Sequence, residues 1–181
     1  MKILSILLFY SIFAVSAEAQ KYITKNGFIS FYSHTPLEDI KAANNQVASV
    51  LDASTGEIVF QVLIKSFHFE KSLMEEHFNE NYMESEKYPK STFNGKITNI
   101  SSILFNKPGI YEAIAEGNLT IRDVTKKLTI NGTIEVVKEG LETKAKFNIS
   151  PEDYNIKIPR VVRDNIAKII EVTVIIKYSS M

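Results

Sequence analysis

The chain has 181 residues, with 21 basic and 21 acidic side chains, so its formal net charge is zero. This balance argues against a general nucleic-acid-binding protein, which is normally basic. The absence of cysteine excludes disulfides, thiolate metal sites and a cysteine nucleophile. Hydrophobic residues make up 45% of the chain and charged residues 23%, which is typical of one folded globular domain.

The N-terminal segment has the pattern of a secretory signal peptide. Lys2 precedes an apolar run over residues 3–15, and Ala17-Glu18-Ala19 matches the A-x-A cleavage pattern. A membrane anchor, the alternative, needs an apolar run of about 20 residues. We therefore expect residues 1–19 to be removed and residues 20–181 to form one domain without a stable membrane span. The expected location is periplasmic or secreted, in a bacterium.

Alternation of apolar and polar side chains dominates the rest of the chain. A period of two residues predicts half-buried β-strands. In chain order we expect strands at residues 27–33, 38–52, 58–64, 91–99, 111–121, 128–136, 141–149 and 170–178. Turns containing glycine separate several of these strands.

Two stretches depart from the alternation. Ser72 and Glu75 have the spacing of a capping box and predict a short helix that ends before Pro89. Residues 150–165 predict irregular structure. About eight strands, one short helix and no alternation of strands with helices indicate an all-β antiparallel fold. We expect an eight-stranded barrel, with an open sandwich as the alternative.

The side chains on the expected inner face leave two interpretations of the barrel interior open. Ala113, Ala115 and Gly117 follow one another on one face of a strand and leave space. Large inward residues could line that space as a tunnel, or fill it as in a tapering barrel. The large residues concerned are Phe60, Phe93, Tyr111, Phe147 and Tyr178.

A hollow barrel with this inner face would suit a long apolar ligand better than a sugar or a nucleotide. Each buried methylene contributes about 0.8 kcal/mol, so a chain of about ten or more carbons needs no polar anchor. The predicted ligand-binding residues, which line the cavity, are Phe60, Val62, Phe93, Ile97, Tyr111, Ala113, Ala115, Leu119, Ile130, Phe147, Val172 and Val174.

Residue types that carry chemistry occur without a recognisable motif. His34, His68 and His77 do not have the spacing of a zinc site. No calcium loop, phosphate loop, dinucleotide fingerprint or G-x-S-x-G elbow is present. The glutamates of residues 70–86 are most simply a solvated face. We therefore expect no enzymatic activity, no metal and no cofactor.

Two motifs resemble those of the YceI-like family of lipid- or polyisoprenoid-binding proteins. Glu86-Lys87-Tyr88-Pro89, followed by Phe93, is similar to the family signature E-K-Y-P-x-x-x-F. Residues 117–126 are similar to the family's G-D-L-T-I-H-G-V-T-K. His77-Phe78 resembles the family's H-L ahead of the signature.

Four positions depart from the second motif. Asn118, Arg122, Asp123 and Lys127 stand where the family usually has Asp, His, Gly and Pro. The change at Asp123 bears on the turn, because glycine tolerates a positive φ more easily.

The resemblance implies a lipocalin-like, eight-stranded antiparallel barrel with an elongated apolar cavity. It also implies a secreted or periplasmic protein that binds an isoprenoid or a similar amphiphile. It therefore favours the hollow barrel over the filled one.

Our hypothesis is that the protein binds, carries or sequesters a long-chain isoprenoid or other amphiphilic lipid, with polar head-group contacts near His77 or Arg160. The alternative is a secreted interaction or stress-response module with a filled barrel, whose acidic segment, residues 70–86, contacts a partner. A hydrolase that uses His77 with a nearby carboxylate is a weaker third hypothesis. No nucleic-acid partner is expected. The oligomeric state stays open, and a homodimer is one alternative.

Overall fold

A computed structural model describes residues 20–180 of the protein. The predicted signal peptide, residues 1–19, lies outside the described residues. The described residues form nine strands and one α-helix, α1 (Ser72–His77). The strands are β1 (Lys21–His34), β2 (Asp39–Asp52), β3 (Glu57–Leu63), β4 (His68–Phe69), β5 (Lys90–Ile97), β6 (Gly109–Ile121), β7 (Val124–Val137), β8 (Gly140–Ile149) and β9 (Ile170–Ser180).

The strands close into an antiparallel barrel. Their order is β1-β9-β8-β7-β6-β5-β3-β2, and β2 pairs back with β1. The two-residue β4 pairs only with Ala42 and Ala43 at one end of β2. The predicted eight-stranded antiparallel barrel with one short helix is therefore confirmed. Closure leaves none of the eight long strands as a free edge.

Two strands, β1 and β7, begin at least four residues earlier than their alternation predicts. β1 starts at Lys21 rather than at residue 27, and its register with β2 shifts on both sides of Gly27. Such a bulge interrupts the period of two, so the first part of the strand shows no regular pattern. β7 starts at Val124 rather than at residue 128. The prediction missed residues 124–127 because Lys126 and Lys127 interrupt the apolar alternation there.

The helix forms where it is predicted, but the capping box does not. Lys71 occupies the N-cap position, no side chain caps the helix, and Ser72 is already its first residue. The carboxylate of Glu75 instead accepts a hydrogen bond from the backbone N–H of Phe69, at 3.1 Å. A turn of π-helix, Phe78–Tyr82, continues α1, and residues 150–165 contain two short 3₁₀ turns, Pro151–Tyr154 and Arg160–Val162.

One end of the barrel is filled by packed side chains. Leu51, Leu141 and Tyr178 are each at most 3% exposed there, and Tyr22 stacks on Phe105 with ring centroids 5.9 Å apart. Ser49 donates a hydrogen bond to the carbonyl oxygen of Val59, so the Tyr178 hydroxyl donates to Ser49, at 2.6 Å. Burial raises the pKa of Tyr178. Tyr178 therefore closes this end and does not line a tunnel.

The arginine at position 122 joins three segments that cover the other end. Its guanidinium pairs with the Glu84 carboxylate and donates to the carbonyl oxygens of Tyr82, at 3.3 Å, and Asn155, at 3.5 Å. It also lies over the ring of Tyr88, 5.3 Å from the centroid. The β6–β7 turn, residues 82–88 and residues 150–156 are thus held to one another.

The backbone around this arginine adopts uncommon conformations. Arg122, Glu84 and Asn155 have φ angles of 56°, 47° and 55°, and they are the non-glycine residues of positive φ among residues 20–180. The positive φ of the β6–β7 turn therefore falls on Arg122 rather than on Asp123. Asp123 contributes instead by accepting a hydrogen bond from the Tyr88 hydroxyl, at 3.2 Å.

Gly117 is required by close packing between β5 and β6. A Cβ atom at this position would lie 2.5 Å from the carbonyl oxygen of Asn94 and 2.7 Å from the ring of Phe93. The same ring lies over Gly95, the partner of Gly117 in the register of the two strands. The space that this glycine leaves is therefore occupied by Phe93.

Arg122→Ala should lower the free energy of unfolding by about 2 kcal/mol, because it leaves partly buried carbonyl and carboxylate oxygens without their donor. Urea denaturation monitored by far-UV circular dichroism measures this. Lys65→Ala is the control, since it removes an ion pair to Glu86 in which both side chains are exposed and should cost less than about 1 kcal/mol. Equal losses in the two variants would contradict the role assigned to Arg122.

Gly117→Ala should destabilise the barrel by about 1–3 kcal/mol, because the added methyl group meets backbone atoms that cannot rotate away. Gly109→Ala is the matched control on the same strand, where the nearest atom to the added Cβ is 3.5 Å away. Thermal unfolding of both variants makes the comparison. A Gly117→Ala protein as stable as Gly109→Ala would show that the contact with Phe93 relaxes freely.

Candidate functional site

A cavity of about 390 Å³ occupies the half of the barrel nearer to α1. This volume lies within the range of about 300–1,000 Å³ that is usual for small-molecule sites. Packed protein interiors contain few voids larger than one water molecule. The barrel is therefore filled at one end and hollow at the other.

A row of small residues across three strands makes this space. Ala113 on β6 lies opposite Gly132 on β7, which lies opposite Ala145 on β8. All three line the cavity, as does Val174, which follows in the same row on β9. Successive strands thus place small side chains at one level of the wall, where the cavity lies.

Aromatic rings form the part of the wall beside α1. Phe31, Phe67, Phe69 and Phe78 line the cavity and contact one another, with ring centroids 5.1–5.7 Å apart. Sequence reasoning did not predict that these four residues line the cavity, because they come from three separate segments. The alternation of Phe67 and Phe69 around His68 was the one sequence pattern that could have indicated an inward-facing pair of rings.

Most of the predicted ligand-binding residues lie on the cavity wall. Tyr111 does not, because its ring packs against the core and its hydroxyl donates to the carbonyl oxygen of Lys107, at 2.9 Å. That these side chains contact a ligand stays a prediction. The predicted residues on the wall are Phe60, Val62, Phe93, Ile97, Ala113, Ala115, Leu119, Ile130, Phe147, Val172 and Val174.

Polar groups gather where the β1–β2 turn, α1 and the β8–β9 connection meet. Glu38 lines the cavity and accepts hydrogen bonds from Lys71, at 3.0 Å, and Asn165, at 3.1 Å. The bonds from Lys71 and Asn165 lower the pKa of Glu38, which keeps it ionised. His77 is exposed and also lines the cavity, whereas Arg160 is exposed outside its wall. We call this region the mouth.

The titratable residues of the described chain do not assemble a metal site. Among residues 20–180, no group of three or more His, Asp and Glu side chains could hold an ion. Within that range, no carboxylate lies at ion-pair distance from His77. His34 pairs with Asp39, at 2.6 Å, on the exposed surface.

The acidic segment 70–86 is partly committed to internal contacts. Glu84 pairs with Arg122 and Glu86 with Lys65. Glu75 accepts from the Phe69 backbone and lies 3.6 Å from His68. Glu75 and Glu84 therefore stabilise the fold, whereas the pair of Glu86 with Lys65 lies on the exposed surface.

Within residues 20–180, no helix has the length and apolar character needed to cross a membrane.

Comparisons with known proteins agree with this architecture. The model of the YceI-like domain matches residues 21–178. A polyisoprenoid-binding domain from Saccharophagus degradans has a TM-score of 0.78 at 10% identity, over 91% of this chain and 100% of that one. Burkholderia cenocepacia BcnA has a TM-score of 0.69 at 13% identity, over 84% of this chain and 96% of its own. The Campylobacter jejuni YCEI protein has a TM-score of 0.58 at 15% identity, over 82% and 88% of the two chains.

A search of curated proteins found no match. At the identities given above, the likeness to solved structures is one of fold. The family model, by contrast, covers nearly the whole described chain. The protein therefore belongs to the YceI-like domain family.

Proposed function

We propose that this protein binds a long-chain isoprenoid or a similar amphiphile in its barrel cavity, outside the cytoplasm, and carries or sequesters it without chemical change. The observation that carries the proposal is the apolar cavity of about 390 Å³. The polyisoprenoid-binding domain of similar fold supports the choice of ligand class. The signal-peptide pattern of residues 1–19 supports the location.

The size of the cavity argues that a ligand fills it. The side chains that line it are almost all apolar, so water in the cavity finds few hydrogen-bond partners. A ligand that fills the space removes this apolar surface from water, which is favourable at about 25 cal/mol per Å².

The wall favours long chains over short ones. About fifteen buried methylene-sized groups contribute roughly 12 kcal/mol, and about five contribute only roughly 4 kcal/mol. Association itself costs about 4 kcal/mol or more. Only the longer chain therefore leaves a surplus without a strong polar contact, which fits a wall built largely from Phe, Ile, Val and Ala.

Ala113→Phe should abolish binding of a prenyl alcohol, because the added ring enters the row of small residues. For the unmodified protein, native mass spectrometry should show one bound geranylgeraniol. A concentration near 100 Kd should raise stability by about 2.7 kcal/mol, which is roughly 5–10 °C in Tm for a domain of this size.

Ile114→Phe is the matched control, because Ile114 is the next residue of β6 and lies outside the wall. It should bind the alcohol as the unmodified protein does. An Ala113→Phe protein that is folded and still binds with unchanged affinity would contradict the cavity as the binding site. An unmodified protein that takes up no prenyl alcohol would contradict the proposed function.

The mature chain recovered from the periplasm of a bacterial host should begin at Gln20, because Ala17 and Ala19 supply the small residues that the cleavage pattern requires. Intact mass and N-terminal sequencing of that fraction measure this. Ala19→Arg should block cleavage and keep the longer form in the membrane fraction. Recovery of the uncleaved unmodified chain from the cytoplasm would contradict the proposed location.

A further inference from the structure

Exposed apolar side chains gather at the mouth. Among residues 20–180, four large hydrophobic side chains are at least 60% exposed, and three of them lie there: Leu37 in the β1–β2 turn, Leu73 on α1 and Val161 on the β8–β9 connection. The fourth, Ile110 on β6, lies near the filled end of the barrel. Single exposed apolar residues are common on protein surfaces, but a group of them around a cavity opening is typical of an interaction site.

The strand order brings these three residues to one opening. β4, which leads into α1, pairs with β2, and β9, which follows the β8–β9 connection, pairs with β1. The β1–β2 turn therefore lies between α1 and the connection. Within that turn, Glu38 accepts hydrogen bonds from Lys71 at the start of α1 and from Asn165 on the connection. These two bonds hold the three elements side by side.

The cavity reaches the protein surface between these elements. Each of the three apolar residues is the chain neighbour of a residue on the cavity wall, namely Glu38, Met74 and Val162. His77 lines the cavity and is itself exposed to solvent. A ligand that enters or leaves the cavity here therefore passes the exposed apolar side chains.

Positive charge flanks Val161. Residues 157–168 of the connection carry four basic side chains and one acidic side chain, all of them exposed, which are Lys157, Arg160, Arg163, Asp164 and Lys168. Arg160 and Arg163 lie on either side of Val161 in the sequence. Among residues 20–180, Arg122 is the one arginine that is paired with a carboxylate. The guanidinium groups of Arg160 and Arg163 can therefore meet an anionic partner.

The opposite side of the mouth is acidic. Leu73 shares α1 with the exposed Glu76, and the exposed Glu80 follows in the π-helical turn. An anionic surface would therefore approach the β1–β2 turn and the connection more closely than it approaches α1. The docking face accordingly centres on Leu37 and Val161.

The proposed ligand indicates which partner fits this face. Each methylene group lowers the solubility of a chain in water about fourfold, so an isoprenoid of about twenty carbons is held almost entirely in lipid. A protein that collects or delivers such a ligand must therefore meet a bilayer surface. Exposed apolar side chains beside arginines suit that surface, because apolar groups enter the head-group boundary while cations contact anionic lipids.

We propose that the mouth docks on a bilayer that contains anionic phospholipid, with Leu37 and Val161 in the head-group boundary and Arg160 and Arg163 against the lipid phosphates. This inference rests on the proposed function and names the surface with which the cavity exchanges its ligand. The docked mouth gives the ligand a path between bilayer and cavity that does not pass through bulk water.

Flotation of the ligand-free protein with phosphatidylcholine vesicles, with and without phosphatidylglycerol, tests the docking. The unmodified protein should bind the vesicles that contain phosphatidylglycerol, and salt should weaken this binding because it screens surface charge. Val161→Asp should weaken the binding about tenfold or more. Ile110→Asp is the matched control, because it places the same carboxylate on an exposed apolar position near the filled end, and it should bind as the unmodified protein does.

Arg160→Gln combined with Arg163→Gln separates the charge from the apolar contact. This variant should bind phosphatidylglycerol vesicles about tenfold or more weakly, since each basic side chain near an anionic surface strengthens binding about fivefold. Lys96→Gln combined with Lys138→Gln is the matched control, because it removes the same charge from exposed lysines on β5 and in the β7–β8 turn. It should leave vesicle binding unchanged.

Ligand exchange connects the docking with the proposed function. Val161→Asp should take up geranylgeraniol from vesicles more slowly than Ile110→Asp does. With the alcohol supplied in detergent micelles, native mass spectrometry should show the same one-to-one complex for both variants, because neither change touches the cavity wall.

Equal vesicle binding by Val161→Asp and Ile110→Asp would overturn the docking face. A concentration-dependent dimer that Val161→Asp abolishes, in a protein that binds no vesicles, would overturn it as well, because the mouth would then meet a second copy. Uptake of geranylgeraniol by an unmodified protein that binds no vesicles would overturn the docking and leave the proposed function standing. Vesicle binding without any uptake of the alcohol would instead overturn the proposed function.

Discussion

The contacts of the Arg122 guanidinium are the constraint on which the hollow end of the barrel depends. The segments that cover this end share a small second core with the barrel, formed by Ile64, Met83, Ile121, Tyr154 and Ile156. The guanidinium adds polar attachments to Glu84, Tyr82 and Asn155. With several donors in a rigid plane, arginine can hold three separate segments where lysine could not.

The cavity follows from an uneven distribution of side-chain volume around the barrel. Near the filled end, Leu51, Leu141 and Tyr178 meet across the axis. Towards α1 the row from Ala113 to Ala145 carries almost no side-chain volume, and the cavity lies there. Because close packing is what normally removes such space, this uneven distribution is the structural basis of the proposed binding.

The sequence predicts the strands and the row of small residues well, because both depend on a period of two. It does not predict contacts that depend on register between strands. Gly117 looks like empty space in the pattern, yet the ring of Phe93 on the next strand covers it. The four phenylalanines beside α1 come together only in the folded barrel. The sequence also does not predict that the pairing of β7 with β8 ends at Gly132 and Ala145, because each strand continues beyond that point.

The low sequence identity to proteins of the same fold has a physical explanation, because the apolar wall and the polar contacts at its cover tolerate substitution differently. Apolar residues of similar volume can replace one another in a wall with little loss of stability, so a fold can persist at 10% identity with a TM-score of 0.78. The two segments that resemble the family's motifs meet instead through polar contacts of Tyr88 with Arg122 and Asp123, although Arg122 and Asp123 themselves depart from the second motif. They secure the cover of the cavity and do not select its contents. On the proposed function, selection among ligands falls to the polar side chains that interrupt the apolar wall, such as Glu38 and His77 at the mouth.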